Sequence, residues 1–179
     1  MKLGVNLGSG QRRFESTPEI QWINVDCVSR PDQVPDLIHD IRQPFPWESD
    51  SVDLIVMNQV WEHLHLNEGD ETIRECFRVL KLGGSLIITC PDMRALAQRW
   101  LTHQIDDYIF CVNVYGAWQG EPGDDHHWSW TPSTLSQYFN AMAILGLTWS
   151  DIIAFNWRVL PGNISLPKDW WICGVEVIK

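Results

Sequence analysis

The residues with ligand-binding chemistry in the amino-terminal half follow short apolar runs. The first run, Val5-Asn6-Leu7, leads directly into Gly8-Ser9-Gly10. Two glycines at this spacing allow a sharp turn and leave no Cβ between the backbone N–H groups and a bound ligand. The second run, Trp22-Ile23-Asn24-Val25, ends in Asp26. At this position nucleotide-binding α/β proteins have an acid that binds the ribose hydroxyls. The glycines alone are a weak signal, but together with Asp26 they indicate a site for a nucleotide-containing cofactor.

Two further apolar runs end in polar groups in the same way. Leu37-Ile38-His39 precedes Asp40-Ile41, and the run from Val52 to Met57 continues into Asn58-Gln59. The latter run is nearly continuous, which is typical of a parallel strand buried on both faces. Because open α/β sheets bind ligands outside the carboxyl ends of their strands, we expect these groups to line one cavity.

A third group of chemically capable residues lies in the carboxyl-terminal half. The segment Asp124-Asp125-His126-His127-Trp128 comes just before Thr131-Pro132, a typical helix start. An imidazole whose pKa lies near neutrality can take a proton from a hydroxyl group. The histidines can equally serve only to cap or pack the following helix. A metal site is the least favoured interpretation, because adjacent residues rarely point at one ion and no distant ligand set stands out.

The connections between the first predicted strands are short and contain prolines. Pro18 lies between the first and second strands, and Pro31 and Pro35 lie between the second and third. The first crossover helix must therefore be stunted, and no regular second helix fits. One face of the sheet there must then be covered by loops or by another subunit. The apolar face near residues 11–36, together with the 11 tryptophans of the chain, predicts cover by a second copy and hence a homodimer.

The rest of the chain shows the patterns that complete an α/β sheet. Apolar residues at three- and four-residue spacing predict a helix over 68–80 that ends at Gly83-Gly84. Residues 104–123 have no clean period, and such an insertion predicts a substrate lid over 104–128. The other predicted elements are a strand over 85–90, helices over 93–103 and 131–145, and an antiparallel pair of strands over 147–157 and 170–177.

Several of these motifs together resemble a known family. They are Asn6-Leu7-Gly8-Ser9-Gly10, Ile23-Asn24-Val25-Asp26, His39-Asp40-Ile41-Arg42 and Glu62-His63-Leu64. In this order they resemble the compact class I S-adenosylmethionine-dependent methyltransferases, over about residues 3–92. The resemblance implies a single domain over 1–179 with a three-layer α/β fold: a Rossmann-like, mostly parallel sheet with a carboxyl-terminal antiparallel strand, here with truncated helices. Asn6 departs from the family, because many relatives carry an acid at this position.

The resemblance also implies the cofactor site. The residues expected to bind S-adenosylmethionine are Gly8, Ser9, Gly10, Asp26, Cys27, Asp40, Ile41, Asn58, Gln59 and His63. The aromatic insertion and the histidine segment add expected acceptor contacts at Tyr115, His126 and Trp128, with His63 or His127 as the catalytic base. No metal is predicted.

The predicted function is transfer of a methyl group from S-adenosylmethionine to a small molecule, such as a hydroxyl of a sugar or related metabolite. A nicotinamide-dependent oxidoreductase is one alternative, since Asp26 could bind the ribose of S-adenosylmethionine or that of a nicotinamide dinucleotide. However, Arg13 occupies the position of the third glycine in the Gly-x-Gly-x-x-Gly motif of dinucleotide-binding proteins. A non-catalytic binding protein with the same fold is the other.

Composition excludes several other classes. A formal net charge of −10 works against the phosphate neutralisation that drives nucleic-acid binding. The apolar runs are far shorter than the ~20 residues of a membrane span, and the first residues lack a signal-peptide layout. The 5 cysteines are odd in number and scattered, which disfavours disulfides. We therefore expect a cytoplasmic protein that acts on a small molecule, without nucleic-acid or membrane partners.

Overall fold

A seven-stranded sheet organises the chain. The computed structural model describes residues 1–117, 123–156, 159–160, 164–165 and 171–179. The strand order of the sheet is β3-β2-β1-β4-β5-β9-β6, and β7 and β8 form a separate two-stranded sheet. The strands are β1 Lys2–Leu7, β2 Ile20–Asp26, β3 Leu37–Ile38, β4 Val52–Asn58, β5 Leu80–Pro91, β6 Asp151–Phe155, β7 Val159–Leu160, β8 Ile164–Ser165 and β9 Ile172–Ile178.

The pairing of the strands confirms the predicted fold class. Strands β1 to β5 pair in parallel, whereas β9 is antiparallel to both β5 and β6. The sheet therefore reverses its winding direction between β1 and β4. The carboxyl ends of these two strands, Leu7 and Asn58, mark the topological switch point at which α/β sheets bind ligands.

The described helices all follow β4 in the chain. They are α1 Leu66–Val79, α2 Met93–Leu101, α3 Asp107–Tyr115 and α4 Pro132–Ala141, with 3₁₀ turns at Trp61–His63 and Met142–Leu145. Helices α1 and α4 bury apolar side chains against the same face of the sheet, including Ile73, Leu135 and Phe139. No helix in the described part of the chain has the length and apolar character that a bilayer crossing requires.

The connections 8–19 and 27–36 contain no helix, as their prolines predict. The sheet face beside them is nevertheless closed. Trp22 is only 4% exposed, and the ring of Phe14 packs edge-on against it with centroids 4.8 Å apart. Ile20 is buried in the same cluster. The chain itself thus covers the face around Trp22, whereas Val28 and Val34 stay exposed. The homodimer stays a prediction.

A network of two buried asparagines holds these connections in place. Asn6 and Asn24 are opposite each other in β1 and β2, and the Asn6 Nδ2 donates to the Asn24 Oδ1 (3.0 Å) and to the Arg12 carbonyl (2.8 Å). Asn24 in turn bonds the backbone of Phe14 in both directions and donates to the Asp36 carboxylate (2.8 Å). We call Asn6, Asn24 and Asp36 the asparagine network. It connects both helix-free loops to the sheet.

An aromatic cluster connects a segment of the carboxyl-terminal half to the sheet. Trp61, at the start of the 3₁₀ turn after β4, stacks on Trp130 with ring centroids 4.5 Å apart and planes 9° from parallel. The Trp130 carbonyl also accepts a hydrogen bond from the N–H of Met93, the first residue of α2, just beyond the end of β5 (2.9 Å). The segment before α4 is therefore fixed at the carboxyl edge of the sheet.

The structure corrects three details of the predicted elements. The insertion over 104–123 contains helix α3, whose start is capped by the Asp106 carboxylate on the Ile109 N–H (2.7 Å). Helix α1 ends at Val79 and β5 begins at once, so Gly83-Gly84 lies within a strand and does not cap the helix. The strand predicted over 147–157 is confined to β6, and the last strand begins at Ile172; Trp157 and Trp170 lie outside the described residues.

The asparagine network predicts the effect of restoring the acid that many relatives carry. Asn6→Asp replaces the only donor group of this side chain, which is 1% exposed, and places a carboxylate against two oxygen acceptors. Loss of these bonds should lower the free energy of unfolding by roughly 1–3 kcal/mol or more, as measured by urea denaturation. Asn67→Asp makes the same chemical change in the exposed first turn of α1, where a negative charge is favourable. Equal stability of Asn6→Asp and the parent protein would refute the role of the network.

Candidate active site

A cavity of about 510 Å³ lies at the carboxyl ends of β1 to β4. Residues from each of these strand ends contribute to it, and Gly123 and Asp124 close it from the carboxyl-terminal half. The predicted cofactor residues that line the cavity are Gly8, Asp26, Cys27, Asp40, Ile41, Gln59 and His63. The polar residues that the sequence places after successive strands therefore lie together around one cavity.

Three predicted cofactor residues, Ser9, Gly10 and Asn58, do not line the cavity themselves. The Gly10 N–H donates to the Asp26 Oδ2 (2.9 Å). Asn58 accepts from the Thr89 hydroxyl (2.7 Å). Ser9 is buried, its N–H donates to the Val25 carbonyl (2.9 Å), and its Oγ has no hydrogen-bond partner among the described residues. These residues shape the site, and the Ser9 hydroxyl retains hydrogen-bonding capacity.

Glycine is required in the turn after β1 because the ends of β1 and β4 approach each other closely there. Gly8 has a φ of +65°, and a Cβ at this position would lie 2.4 Å from the Cγ2 of Val60, which follows β4. Gly10 also has a positive φ, of +44°, but a Cβ there would meet no atom within 4 Å. Gly8 is therefore needed for space and conformation, and Gly10 for conformation alone.

Asp26 is held by the backbone around it. Its Oδ2 accepts from the Gly10 N–H (2.9 Å), and its Oδ1 accepts from the Val28 N–H (3.0 Å). A carboxylate has about four acceptor positions, so these two bonds orient the group and leave lone pairs for a ligand. Asp26 can therefore accept hydrogen bonds from a diol in the cavity.

Asp40 is fixed by Arg42. The guanidinium makes bonds of 2.8–3.2 Å to both carboxylate oxygens, and the Arg42 hydrogen bond lowers the pKa of Asp40. Burial and the nearby acids Asp26 and Asp40 raise the pKa of the Cys27 thiol, so it stays protonated. This side of the cavity thus combines a fixed, partly neutralised charge with the apolar surfaces of Cys27 and Ile41.

One amide nitrogen and one imidazole nitrogen in the cavity wall have no hydrogen-bond partner among the described residues. They are the Nε2 atoms of Gln59 and His39, both buried. Gln59 also has a φ of +59°, which is costly for a residue other than glycine and is typical of functional sites. Buried polar groups are nearly always hydrogen-bonded, so these atoms point to a polar ligand. His39 is a lining residue that the sequence patterns did not single out.

Glu62, His63 and His126 meet at the other end of the site. The rings of His63 and His126 pack edge-to-face, with centroids 4.6 Å apart. Burial lowers the pKa of both histidines, that of His126 to about 4, and raises the pKa of Glu62 to about 8. His63 lines the cavity. His126, a predicted acceptor contact, does not line it, but its ring packs against that of His63, so two neutral imidazoles meet beside this end of the cavity.

The other predicted acceptor residues do not reach the cavity. His127 is exposed, and its ring stacks on that of His65 with centroids 3.8 Å apart. Trp128 is 47% exposed and Tyr115 is 69% exposed, and neither lines the cavity. The geometry therefore favours His63 over His127 for contact with an acceptor, and places His126 beside it.

Comparison with known proteins supports the resemblance inferred from the motifs. A family model described as a methyltransferase domain matches residues 18–88. This match, together with the fold, confirms the resemblance to class I S-adenosylmethionine-dependent methyltransferases. No curated protein matches the chain.

Solved structures share the fold at low sequence identity. An S-adenosylmethionine-dependent methyltransferase from Archaeoglobus fulgidus is 13% identical, with a TM-score of 0.62 over 99% of this chain and 86% of its own. One from Thermotoga maritima is 15% identical, with a TM-score of 0.58 over 100% and 83%. The 1,6-didemethyltoxoflavin-N1-methyltransferase of Burkholderia thailandensis, solved with 1,6-didemethyltoxoflavin and S-adenosylhomocysteine, is 12% identical, with a TM-score of 0.57 over 99% and 70%.

The two glycines of the turn should respond differently to alanine. Both substitutions place a Cβ in a left-handed conformation, which costs roughly 1–2 kcal/mol. Gly8→Ala adds the overlap with Val60, and overpacking of this kind costs roughly 1–3 kcal/mol more. Urea denaturation should therefore show Gly8→Ala to be the less stable variant. In a Val60→Ala background the difference between the two variants should shrink, and a difference that is unchanged there would contradict the packing argument.

Proposed function

We propose that this protein binds S-adenosylmethionine in the cavity at the switch point and transfers its methyl group to a small-molecule acceptor. The observation that carries the proposal is the Asp26 carboxylate, held by two backbone N–H groups at the end of β2 and facing a cavity opposite the Gly8 turn. The methyltransferase domain match and the shared fold support the same reading.

The residues present fit the cofactor. Asp26 would accept from the ribose hydroxyls, and the absence of a side chain at Gly8 and Gly10 would admit the methionine part. Ile41 and Cys27 would provide the apolar surface beside adenine, with Asp40 fixed by Arg42 at its edge. The unpaired Nε2 atoms of Gln59 and His39, in the same wall, would find partners in a polar ligand.

The acceptor would enter at the end of the cavity marked by His63. The bound cofactor supplies a methyl group already activated by its sulfonium, so the protein has mainly to orient the acceptor and assist loss of its proton. Because burial lowers the pKa of His63, its ring is neutral near pH 7 and has a lone pair that can take a proton or bind an electrophile. We propose a hydroxyl acceptor of a sugar or related metabolite. The predicted lid over 104–128 would close over it, and α3, Gly123 and Asp124 belong to the described part of that lid.

The nicotinamide-dependent alternative is less well supported. A dinucleotide site needs a helix amino terminus after the glycine turn to receive the pyrophosphate. The connection 8–19 contains no helix, and Arg13 makes an ion pair with Asp36 there (2.5 Å). A non-catalytic binding protein would share the cofactor site and differ only in turnover.

Removal of the Asp26 carboxylate tests the cofactor assignment. Asp26→Ala should lose two charge-assisted hydrogen bonds, each worth roughly 1.5–3 kcal/mol before compensation by water. The affinity for S-adenosylhomocysteine, measured by calorimetry, should fall at least about tenfold. Asp32→Ala removes an exposed acid from the next connection and should bind like the parent protein.

The same titration separates the alternatives. Unchanged affinity in a folded Asp26→Ala variant would show that Asp26 only ends its strand. Binding of NAD⁺ in preference to S-adenosylhomocysteine would support the oxidoreductase. Tight S-adenosylhomocysteine binding without turnover of any hydroxyl acceptor would support the non-catalytic protein.

A further inference from the structure

We propose that Glu62, His63 and His126 form a binding site for a divalent transition metal of the zinc class. One ligand atom from each residue lies within 4.8 Å of the ligand atoms of the other two. Sequence patterns do not predict this site, because helices α1 to α3 separate His126 from the other two residues in the chain. The stacking of Trp61 on Trp130 brings the two segments together.

The Glu62 carboxylate is the first argument for a cation. The residue is 1% exposed, and neither carboxylate oxygen has a hydrogen-bond partner among the described residues. The buried thiol of Cys90 lies near it, but a thiol is only a weak donor. Buried carboxylates are nearly always paired, hydrogen-bonded or bound to a metal. A metal ion would satisfy both oxygens of a group to which the described residues offer no donor stronger than the Cys90 thiol.

The orientation of the two imidazoles is the second argument. The Nδ1 of His63 is 3.2 Å from the Asp125 carbonyl oxygen, and the Nδ1 of His126 is 3.0 Å from the Asn113 carbonyl oxygen. A carbonyl oxygen only accepts, so each Nδ1 carries a proton, and in the neutral ring the Nε2 then carries the lone pair; the Gly123 carbonyl also interacts with the His63 ring. Histidines that bind metals almost always donate their other N–H in this way, which fixes the tautomer. Both rings are thus prepared as neutral ligands.

The donor set selects the metal. Two imidazoles and one carboxylate suit zinc and its neighbours in the first transition series, whereas magnesium and calcium prefer all-oxygen sites. Zinc bonds of about 2.0–2.2 Å require the three side chains to move inward slightly from their present separation. Three protein ligands leave a position for an exogenous group, as in catalytic zinc sites.

The location of the site indicates what that exogenous group would be. His63 lines the cavity, so an open coordination position beside it would be accessible to an acceptor. A metal ion lowers the pKa of a coordinated hydroxyl, whose proton then passes to solvent. In this arrangement His63 is a metal ligand and the metal, not the imidazole, promotes ionisation of an oxygen acceptor. This step rests on the proposed function, whereas metal binding itself does not.

The test is a calorimetric titration of the 179-residue chain with zinc, after chelator treatment has removed any bound metal. One zinc ion should bind per chain. Glu62→Gln and His126→Gln should each lower the zinc affinity by more than the roughly 10–100-fold that is lost when a hydrogen-bond partner of a metal ligand is removed. His103→Asn removes an exposed histidine at a φ of 55°, which asparagine tolerates, and should leave zinc affinity unchanged. Cobalt substituted for zinc should give the visible absorption of a low-symmetry site, and that absorption should vanish in His126→Gln.

Folding and cofactor binding are measured on the same variants. Glu62→Gln removes a buried carboxylate and keeps its volume, so it should remain folded, and an unchanged melting temperature without zinc verifies this. S-adenosylhomocysteine affinity of the parent protein, measured without metal, reports on the proposed function separately. The proposal is overturned if the parent chain binds no zinc saturably, if both ligand variants retain parental affinity, or if only Cys27→Ser abolishes binding.

Discussion

The placement of the site depends on the amide of Asn6. In this chain the first two crossover connections have no helices, so the turn at Gly8 and the loop before Asp36 need another support. The asparagine network supplies it through hydrogen bonds between β1, β2 and both loops. Because Asp26 binds the Gly10 N–H, the orientation of this acid depends on the same turn. An amide is required at position 6, since only a donor can join two oxygen acceptors.

The aromatic stack of Trp61 on Trp130 is the second support, and it determines the chemistry of the opposite end. Trp61 directly precedes Glu62 and His63, while Trp130 holds the segment that contains His126. The His127 N–H donates to the Glu62 carbonyl (2.8 Å), which aligns the two segments further. A cofactor cavity and a cluster of neutral imidazoles therefore meet at His63.

Local sequence was enough to predict what lies at strand ends, but not which distant groups meet. Asp26 and Gln59 were predictable because each follows a buried strand, and parallel strands bring their carboxyl ends to one edge. Helix α3 was missed because its apolar residues surround the axis without forming a stripe. Glu62 was noticed only as part of a motif, since its burial beside His126 depends on packing between segments far apart in the chain. His127 was chosen over His126 because a sequence does not show which of two adjacent side chains faces inward.

The most direct measurement is a crystal structure of the protein with S-adenosylhomocysteine. We expect ligand density in the cavity between Gly8 and Ile41, with both ribose hydroxyl oxygens about 2.5–3.0 Å from the Asp26 carboxylate oxygens. The Gln59 Nε2 should also gain a hydrogen-bond partner. Ligand bound at another place, or in this cavity without contact to Asp26, would contradict the central claim.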